Sequence, residues 1–356
     1  MNTIRFAIVG CGNISRAHIH AIQATAGAQL AAVVDIVESR AREVAQETGS
    51  QPFTSVEAML NEADVDAVCI CTASGLHMEP AVKAAHAGKH LLIEKPLETT
   101  VERCDAIISA CEENDVLLGG VFQSRFLPAN SLAKTVAENG GFGDLLLGEA
   151  IVKWFRPKSY FTSASWRGTW RLDGGGALIN QGIHQVDLLQ WIMGRVVSVQ
   201  AVTRRLVHTS IEVEDLAVAI LHFAGGAVGM LEASTAIRPG YPKRLEIHGS
   251  KGGVVVEDDY ILHSTGIPEG PELDRATNRP TKTSTFSEPM AMSFVGHERQ
   301  IADFVDAIRD NRPPAITGRE ARKAVEIVTA VYQSARTGQT VNLGTAPSDL
   351  KDRSPV

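Results

Sequence analysis

The chain contains no run of apolar residues approaching the roughly 20 that span a bilayer, which argues against a membrane-embedded role. It also lacks a basic tract, or an interleaving of basic and aromatic residues, of the kind that follows a phosphate backbone. With a formal net charge of −7, nucleic acid is not an expected partner. Cysteine is sparse: there are five, with no C-x-x-C pair, and Cys69 and Cys71 fall inside an apolar run that reads as a buried strand. That usage belongs to a reducing compartment. The opening MNTIRFAIVG runs straight into a strand and not through the charged, apolar and small-residue segments of a secretory signal, so the cytoplasm is the expected location. No grouping has metal-ligand spacing, so no metal is expected, and no repeat or low-complexity linker is present.

What is there is a chain of 356 residues, 44% hydrophobic and 21% charged, an ordinary globular composition but longer than one hydrophobic core sustains. Two domains follow, with boundaries expected at 1–122 and 123–356 and with the C-terminal helices free to pack back on the first domain. The first 120 residues alternate apolar runs (Ile4–Val9, Leu30–Val34, Ala67–Cys71, His90–Ile93, Val116–Val121) with helical stretches. That alternation predicts an α/β, doubly wound parallel sheet of the Rossmann type. Runs without polar alternation, such as VDAVCICT, suit strands covered by helices on both faces. From Leu145 to about Leu262 the chain reads as strands of an open, mainly antiparallel sheet, interrupted by one helix near Ala177–Met193. Leu216–Phe223 and Ala227–Ala236 flank a Gly225-Gly226 turn. Residues 263–290 have no clear period and read as a surface loop. Helices near Ser293–Arg309 and Arg319–Arg336 close the chain, with Pro313-Pro314 between them.

Gly10-Cys11-Gly12-Asn13-Ile14-Ser15 follows the first strand and opens a helix. Gly10 permits the tight turn, Gly12 allows the backbone to approach a pyrophosphate, and the helix start supplies amide donors and a partial positive charge. Ser15 stands where a third glycine or alanine is usual, which predicts slightly wider helix–strand packing. Asp35 ends the second strand, twenty-three residues beyond Gly12, where a carboxylate can accept from ribose hydroxyls and would repel a 2′-phosphate. Gly10, Gly12, Asn13, Ile14 and Asp35 therefore read as a dinucleotide site that favours NAD over NADP.

The run AGKHLLIEKP, Ala87–Pro96, ends a strand with Glu94, Lys95 and Pro96. Together with the glycine turn, the Thr72–His77 segment TASGLH and the stretch Gly174–Asp187, it resembles the glucose–fructose oxidoreductase, inositol dehydrogenase and rhizopine catabolism protein family (Gfo/Idh/MocA) over nearly the whole chain. The resemblance implies a Rossmann domain followed by a substrate domain. It also implies cofactor contacts from Thr72, Ser74, His77, Glu94 and Lys95, and a Lys95 side chain that reaches the substrate hydroxyl or carbonyl beside the nicotinamide. In relatives the proline follows a cis peptide bond. His18 and His77 match family positions near the cofactor loops, with packing as the expected role. A lysine at the carboxyl end of a parallel strand also suits the crevice where doubly wound folds bind ligands.

In DGGGALINQGIHQVD, Asp173–Asp187, the residues Asn180, His184 and Asp187 fall at i, i+4 and i+7 of the expected helix and would share one face. The family commonly has an aspartate where Asn180 stands and a histidine where His184 stands. An amide cannot take a proton, so the role of base shifts to His184 or Lys95. Asp187 reads as an orienting or structural carboxylate. Three of the four tryptophans lie between residues 154 and 170, with Arg156 and Arg167 among them. Aromatic faces stack on sugar rings and guanidinium forks grip carboxylates or phosphates, so Arg156, Trp166 and Arg167 join Lys95, Asn180 and His184 as substrate candidates for an acidic or nucleotide-linked sugar. Similar WRGTW stretches occur in relatives that oxidise UDP-linked amino-sugar acids and in others of undefined specificity.

The function implied is an NAD-dependent dehydrogenase or reductase that moves a hydride between a sugar, sugar-nucleotide or polyol hydroxyl and nicotinamide C4. Two alternatives stay open: an NAD-dependent glycoside hydrolase, and a catalytically silent NAD-binding regulator, against which the intact Lys95 and His184 argue. By the same resemblance a homodimer or homotetramer would form through the C-terminal sheet.

Overall fold

The computed structural model describes residues 3–279 and 293–344. The chain divides into two compact units. Among the described residues, one comprises 3–126, 171–174 and 293–325, and the other 127–170, 175–279 and 326–344.

The first unit is a six-stranded parallel sheet built from β1 (Ile4–Val9), β2 (Ala28–Val34), β3 (Gln51–Phe53), β4 (Ala67–Ile70), β5 (His90–Ile93) and β6 (Leu118–Gly120), in the order β3-β2-β1-β4-β5-β6. The helices between them are α1 (Ser15–Ala24), α2 (Glu38–Thr48), α3 (Val56–Glu62), α4 (Met78–His86) and α5 (Val101–Glu113). β3 was not foreseen. It has three residues, one of them Pro52, and pairs only with β2 at the sheet edge, too short for any periodicity to show. Phe6 and Ile8 of β1 and Cys69 of β4 are fully buried. A Phe or Ile side chain taken from water in this way contributes about 1.5–3 kcal/mol. The later helix Val295–Asp310 belongs to this unit and sets Phe304 against Phe6, ring centroids 6.5 Å apart. The strand order reverses between β1 and β4, and in such sheets the crevice for ligands opens at the carboxyl ends of the strands at that point.

The second unit contains α6 (Pro128–Glu138), β7 (Leu145–Lys153), α7 (Lys158–Thr162), a π-helical turn (Ala177–Gly182), α8 (Ile183–Met193), β8 (Val196–Arg204), β9 (Leu216–Phe223), β10 (Val228–Ser234), β11 (Arg244–Gly249), β12 (Gly253–Glu257), β13 (Tyr260–Thr265) and α9 (Pro271–Thr277). The helix at Val295–Asp310 is α10. It is followed by α11 (Gly318–Thr337), which begins in the first unit and ends in the second, and by β14 (Val341–Asn342). The eight-stranded sheet runs β13-β12-β11-β7-β10-β9-β8-β14. It is mixed: β10 lies parallel to β7 and every other described pairing is antiparallel. The β9–β10 hairpin closes at Gly225-Gly226 as expected, with Gly226 at φ +88°. Gly194, at φ +93°, ends α8.

Two expectations need correction. The stretch at 263–290 is not all loop, because β13 runs to Thr265 and α9 follows. Pro271 at the first turn with Glu272 and Asp274 supplies the preset φ and the acidic start that favour a helix N-terminus. Residues 280–292 of that stretch lie outside the described residues. The helix expected near Ala177–Met193 opens with a π turn, which accommodates more residues per turn than an α-helix. The 3.6-residue face drawn through Asn180, His184 and Asp187 therefore does not carry across Gly182.

Candidate functional site

In the first unit, β1 ends in the glycine turn. Gly10 sits at φ +97°, and a Cβ there would lie 2.8 Å from the carbonyl carbon of Cys71, the residue after β4. Only glycine permits so close an approach. A Cβ at Gly12 would meet nothing within 4 Å, so the turn leaves open space over its backbone. α1 starts behind it at Ser15 with no side-chain cap from Ile14. Its helix dipole therefore faces that space with positive partial charge. The Ser15 hydroxyl is buried and donates to the Gly12 carbonyl at 2.6 Å, which closes the turn on itself.

Asp35 is 8% exposed. Its Oδ2 accepts from the Cys11 amide at 2.9 Å and its Oδ1 from the Val37 amide at 2.8 Å, so the carboxylate braces the glycine turn. Each oxygen retains a further lone pair for a hydroxyl donor. Arg42 is paired with Glu38. An open cradle at Gly12, an uncapped helix start and an anchored carboxylate beside them fit the pyrophosphate and ribose of a dinucleotide.

The segment after β4 carries Thr72, Ser74 and His77. Thr72 Oγ1 donates to the Leu76 carbonyl, and Ser74 lies buried in a 3-10 turn. His77 is buried, with Nδ1 3.0 Å from the Pro96 carbonyl and Nε2 3.2 Å from the Thr72 carbonyl. Its imidazole is a strut between two loops, and burial pushes its pKa down. The Glu94 carboxylate, expected at the cofactor, turns inward instead, toward His18 at 2.8 Å and the Lys95 amide at 3.0 Å. A carboxylate buried this deeply is tolerated where partners compensate its desolvation. The Lys95-Pro96 peptide is cis. His18, Glu94 and, from α10, His297 come together with ligand atoms within 4.8 Å of one another, although no sequence spacing marks them as a group.

In the second unit the segment from 154 to 170 folds into a stack of guanidinium and aromatic groups. The Arg156 guanidinium, 3% exposed, lies 4.7 Å from the Trp154 ring centroid and 5.6 Å from that of Tyr160. Arg167 covers Tyr160 at 4.1 Å and Trp166 at 4.8 Å. Such contacts are worth roughly 0.5–2 kcal/mol each. Burial lowers the Arg156 pKa. The Tyr160 hydroxyl donates to Asn180 Oδ1 at 3.3 Å and accepts from Gln181 Nε2 at 2.9 Å, which ties the stack to the π turn. A cavity of about 270 Å³ on this segment is lined by Phe155, Lys158, His208 and Arg238, among others, and Arg238 lies 3.8 Å over the Phe155 ring.

The π turn itself hangs on Glu214. Its carboxylate accepts from the amides of Gly176 at 2.8 Å and Leu178 at 2.9 Å, and from the Tyr332 hydroxyl at 2.9 Å. Burial pushes the Glu214 carboxyl up to about 7. A side chain at Gly175 or Gly176 would strike the Tyr332 ring or the Glu214 carbonyl. Asn180 and His184 are half-buried at the end of this scaffold. Asp187 is fully buried, in keeping with a structural role. Tyr160, Glu214, Tyr332 and His297 were not picked out from the sequence. Tyr160 stands inside the aromatic–arginine run, but Glu214 and Tyr332 are 118 residues apart and carry no local motif.

Two family models match: the NAD-binding Rossmann fold of an oxidoreductase family over residues 4–121, and the GFO/IDH/MocA C-terminal domain over residues 131–255. The structure of the WlbA dehydrogenase from Bordetella pertussis in complex with NADH and UDP-GlcNAcA is similar with a TM-score of 0.87 and 34% identity, covering 97% of this chain and 99% of that one. A WlbA enzyme from Chromobacterium violaceum, also with NADH and UDP-GlcNAcA, matches with a TM-score of 0.86 and 33% identity over 97% of each chain. Among sequence relatives, the myo-inositol 2-dehydrogenase of Thermotoga maritima is 27% identical over 96% of this chain and 98% of its own. The glycine turn, the strand-ending Glu-Lys-Pro and the two-unit fold thus agree with the matches along the whole chain, which belongs to the Gfo/Idh/MocA family of oxidoreductases.

Proposed function

We propose that this protein is an NAD-dependent dehydrogenase that oxidises a hydroxyl of an acidic, nucleotide-linked sugar. The observation that carries the substrate class is the stack of Arg156, Tyr160 and Arg167, hydrogen-bonded through Tyr160 to Asn180 and Gln181. Guanidinium groups held on aromatic faces are preorganised donors for a carboxylate, and the aromatic surface suits a sugar ring. The cavity with Lys158 and Arg238 adds positive charge suited to a diphosphate. The two WlbA enzymes, crystallised with a sugar of this class, support the reading.

Bound nicotinamide would supply the hydride acceptor. Gly10, Gly12, Asn13 and Ile14 would hold the pyrophosphate and Asp35 the ribose hydroxyls, and the carboxylate would disfavour a 2′-phosphate. His184 takes the hydroxyl proton, because Asn180 cannot. Lys95 orients the oxygen and stabilises the negative charge that develops on it. Five cysteines, none in a disulfide, suit the reducing cytoplasm. Self-association would use one face of the second unit's sheet, where Val202 opposite Val218, Ile220, and Val228 opposite Leu147 are exposed on β8, β9, β10 and β7.

NADH formation with UDP-GlcNAcA, compared with myo-inositol and neutral sugars, tests the reading. Turnover of the acidic nucleotide sugar at a kcat/KM at least a hundredfold above that of the neutral polyols is expected. A polyol preference would move the protein toward the inositol dehydrogenases it resembles and would refute the substrate assignment.

A further inference from the structure

The residue assigned the oxygen-orienting role, Lys95, does not stand on β5 itself but two residues beyond its end. Its position depends on how that short segment is held. The Glu94 amide donates to the Ile70 carbonyl at 3.0 Å, which continues the β4–β5 ladder by one bond. The Glu94 side chain then folds beneath the segment, where Oε2 accepts the Lys95 amide at 3.0 Å and Oε1 accepts from His18 Nε2 at 2.8 Å. His18 comes from α1 and is held edge-on by His297 of α10, ring centroids 5.4 Å apart at 75°, with His297 Nε2 3.8 Å from the same Glu94 oxygen. All three side chains are buried.

We propose that His18 and Glu94, backed by His297, are positioning residues that fix the Lys95 backbone, so that α1, the helix that begins at the glycine turn, also sets where the lysine stands. The proposal rests on the role given to Lys95 above. Leaving a carboxylate buried here without its partner is strongly unfavourable, so the intact pair favours the arrangement in which Glu94 faces His18. Burial opposes charge on both groups. Even so, the hydrogen bond from His18 and the facing His297 hold the Glu94 carboxyl well below the usual carboxylate range, and the hydrogen bond to that carboxylate helps to hold His18 well above the usual imidazole range. The rival occupant of such a cluster is a divalent cation. Around a tetrahedral zinc ion with bonds of about 2.0–2.1 Å, ligand atoms stand about 3.3 Å apart. The 2.8 Å between His18 and Glu94 is instead a direct hydrogen bond, and His297 at 3.8 Å stands outside it.

The first measurement needs no substrate. The full-length protein is reductively methylated with ¹³C-formaldehyde, and the Lys95 methyl resonance is assigned by its loss in Lys95→Met. His18→Leu should move that resonance toward the position of solvent-exposed lysines while the others stay in place, and His18→Gln, which can still donate to Glu94, should largely restore it. An unmoved Lys95 resonance in folded His18→Leu overturns the proposal. If His18→Leu does not fold, Glu94→Gln takes its place under the same criterion. Stoichiometric metal in the purified protein, by mass spectrometry, would overturn it in favour of the cation.

The second measurement is a kinetic cycle with NAD⁺ and UDP-GlcNAcA. His18→Leu should lower kcat tenfold or more, since misplacing a reacting group by about 1 Å can cost a hundredfold, and should cost less than twofold in a Lys95→Met background. Equal losses in both backgrounds overturn the positioning role alone. A Lys95→Met enzyme with undiminished kcat, or a shifted resonance without turnover of the sugar, defeats the functional reading instead.

Discussion

The Glu214 carboxylate is the place where a single atom exchange tests the most structure. It accepts three hydrogen bonds, from Gly176, Leu178 and Tyr332, and all three help to hold the π turn that bears Asn180. In Glu214→Gln one oxygen becomes an NH₂ group, which faces at least one of these donors and leaves a buried donor unsatisfied, at a cost of about 1–3 kcal/mol. The substitution also removes a titration. Burial holds the native carboxyl up to about 7, above its ordinary 4.5. The folded state therefore binds the proton more tightly, and this contribution to stability is fully present below pH 4.5 and is lost as the pH rises through 7. Integrating that linkage between pH 5.5 and 8.5 gives about 2 kcal/mol lost by the native protein and none by the glutamine variant. The advantage of the native protein over Glu214→Gln should thus shrink by about 2 kcal/mol across this range, roughly 4–8 °C in Tm for a domain of this size. Tryptophan fluorescence suits the assay, because all four tryptophans (154, 166, 170 and 191) lie in the second unit and Trp170 packs edge-on against Tyr332 at 5.2 Å. A native-to-variant difference that stays constant from pH 5.5 to 8.5 would refute the reasoning. It would mean that the three donors outweigh burial and keep Glu214 ionised throughout.

Three further outcomes are expected. The protein should bind NAD⁺ at least tenfold more tightly than NADP⁺ by calorimetry, and Asp35→Ser with a neighbouring arginine added should reverse the preference; equal affinities in the native protein would remove Asp35 from the ribose site. Lys95→Met and His184→Ala should each lower kcat roughly a hundredfold or more with NAD⁺ affinity nearly unchanged; if His184→Ala keeps the native kcat and pH profile, the base is Lys95. Arg167→Ala should raise KM for UDP-GlcNAcA by roughly tenfold or more, the loss of one charge-assisted bond at about 1.5–3 kcal/mol, and should leave KM for NAD⁺ unchanged in initial-rate kinetics.

Local rules made much of this protein legible from its residues. The parallel sheet follows from short apolar runs alternating with helical periods, because burial on both faces removes the polar alternation of an exposed strand. The glycine turn follows from a conformation and a close approach that only Gly10 allows, whereas the strand-ending Glu94-Lys95-Pro96 stands out only through the family it resembles. β3 and α9 escaped because three residues and seven residues are too few for a period. The wider turn at Ala177–Gly182 escaped because its cause lies elsewhere in the chain, in a carboxylate thirty-six residues from Leu178 and a tyrosine 118 residues from Glu214. Only the tertiary structure decided which way Glu94 faces and what Tyr160 touches. A buried charge or hydroxyl takes its role from the partners that compensate its desolvation, and those partners, His18 and His297 for Glu94, Asn180 and Gln181 for Tyr160, come together by folding and not by sequence spacing.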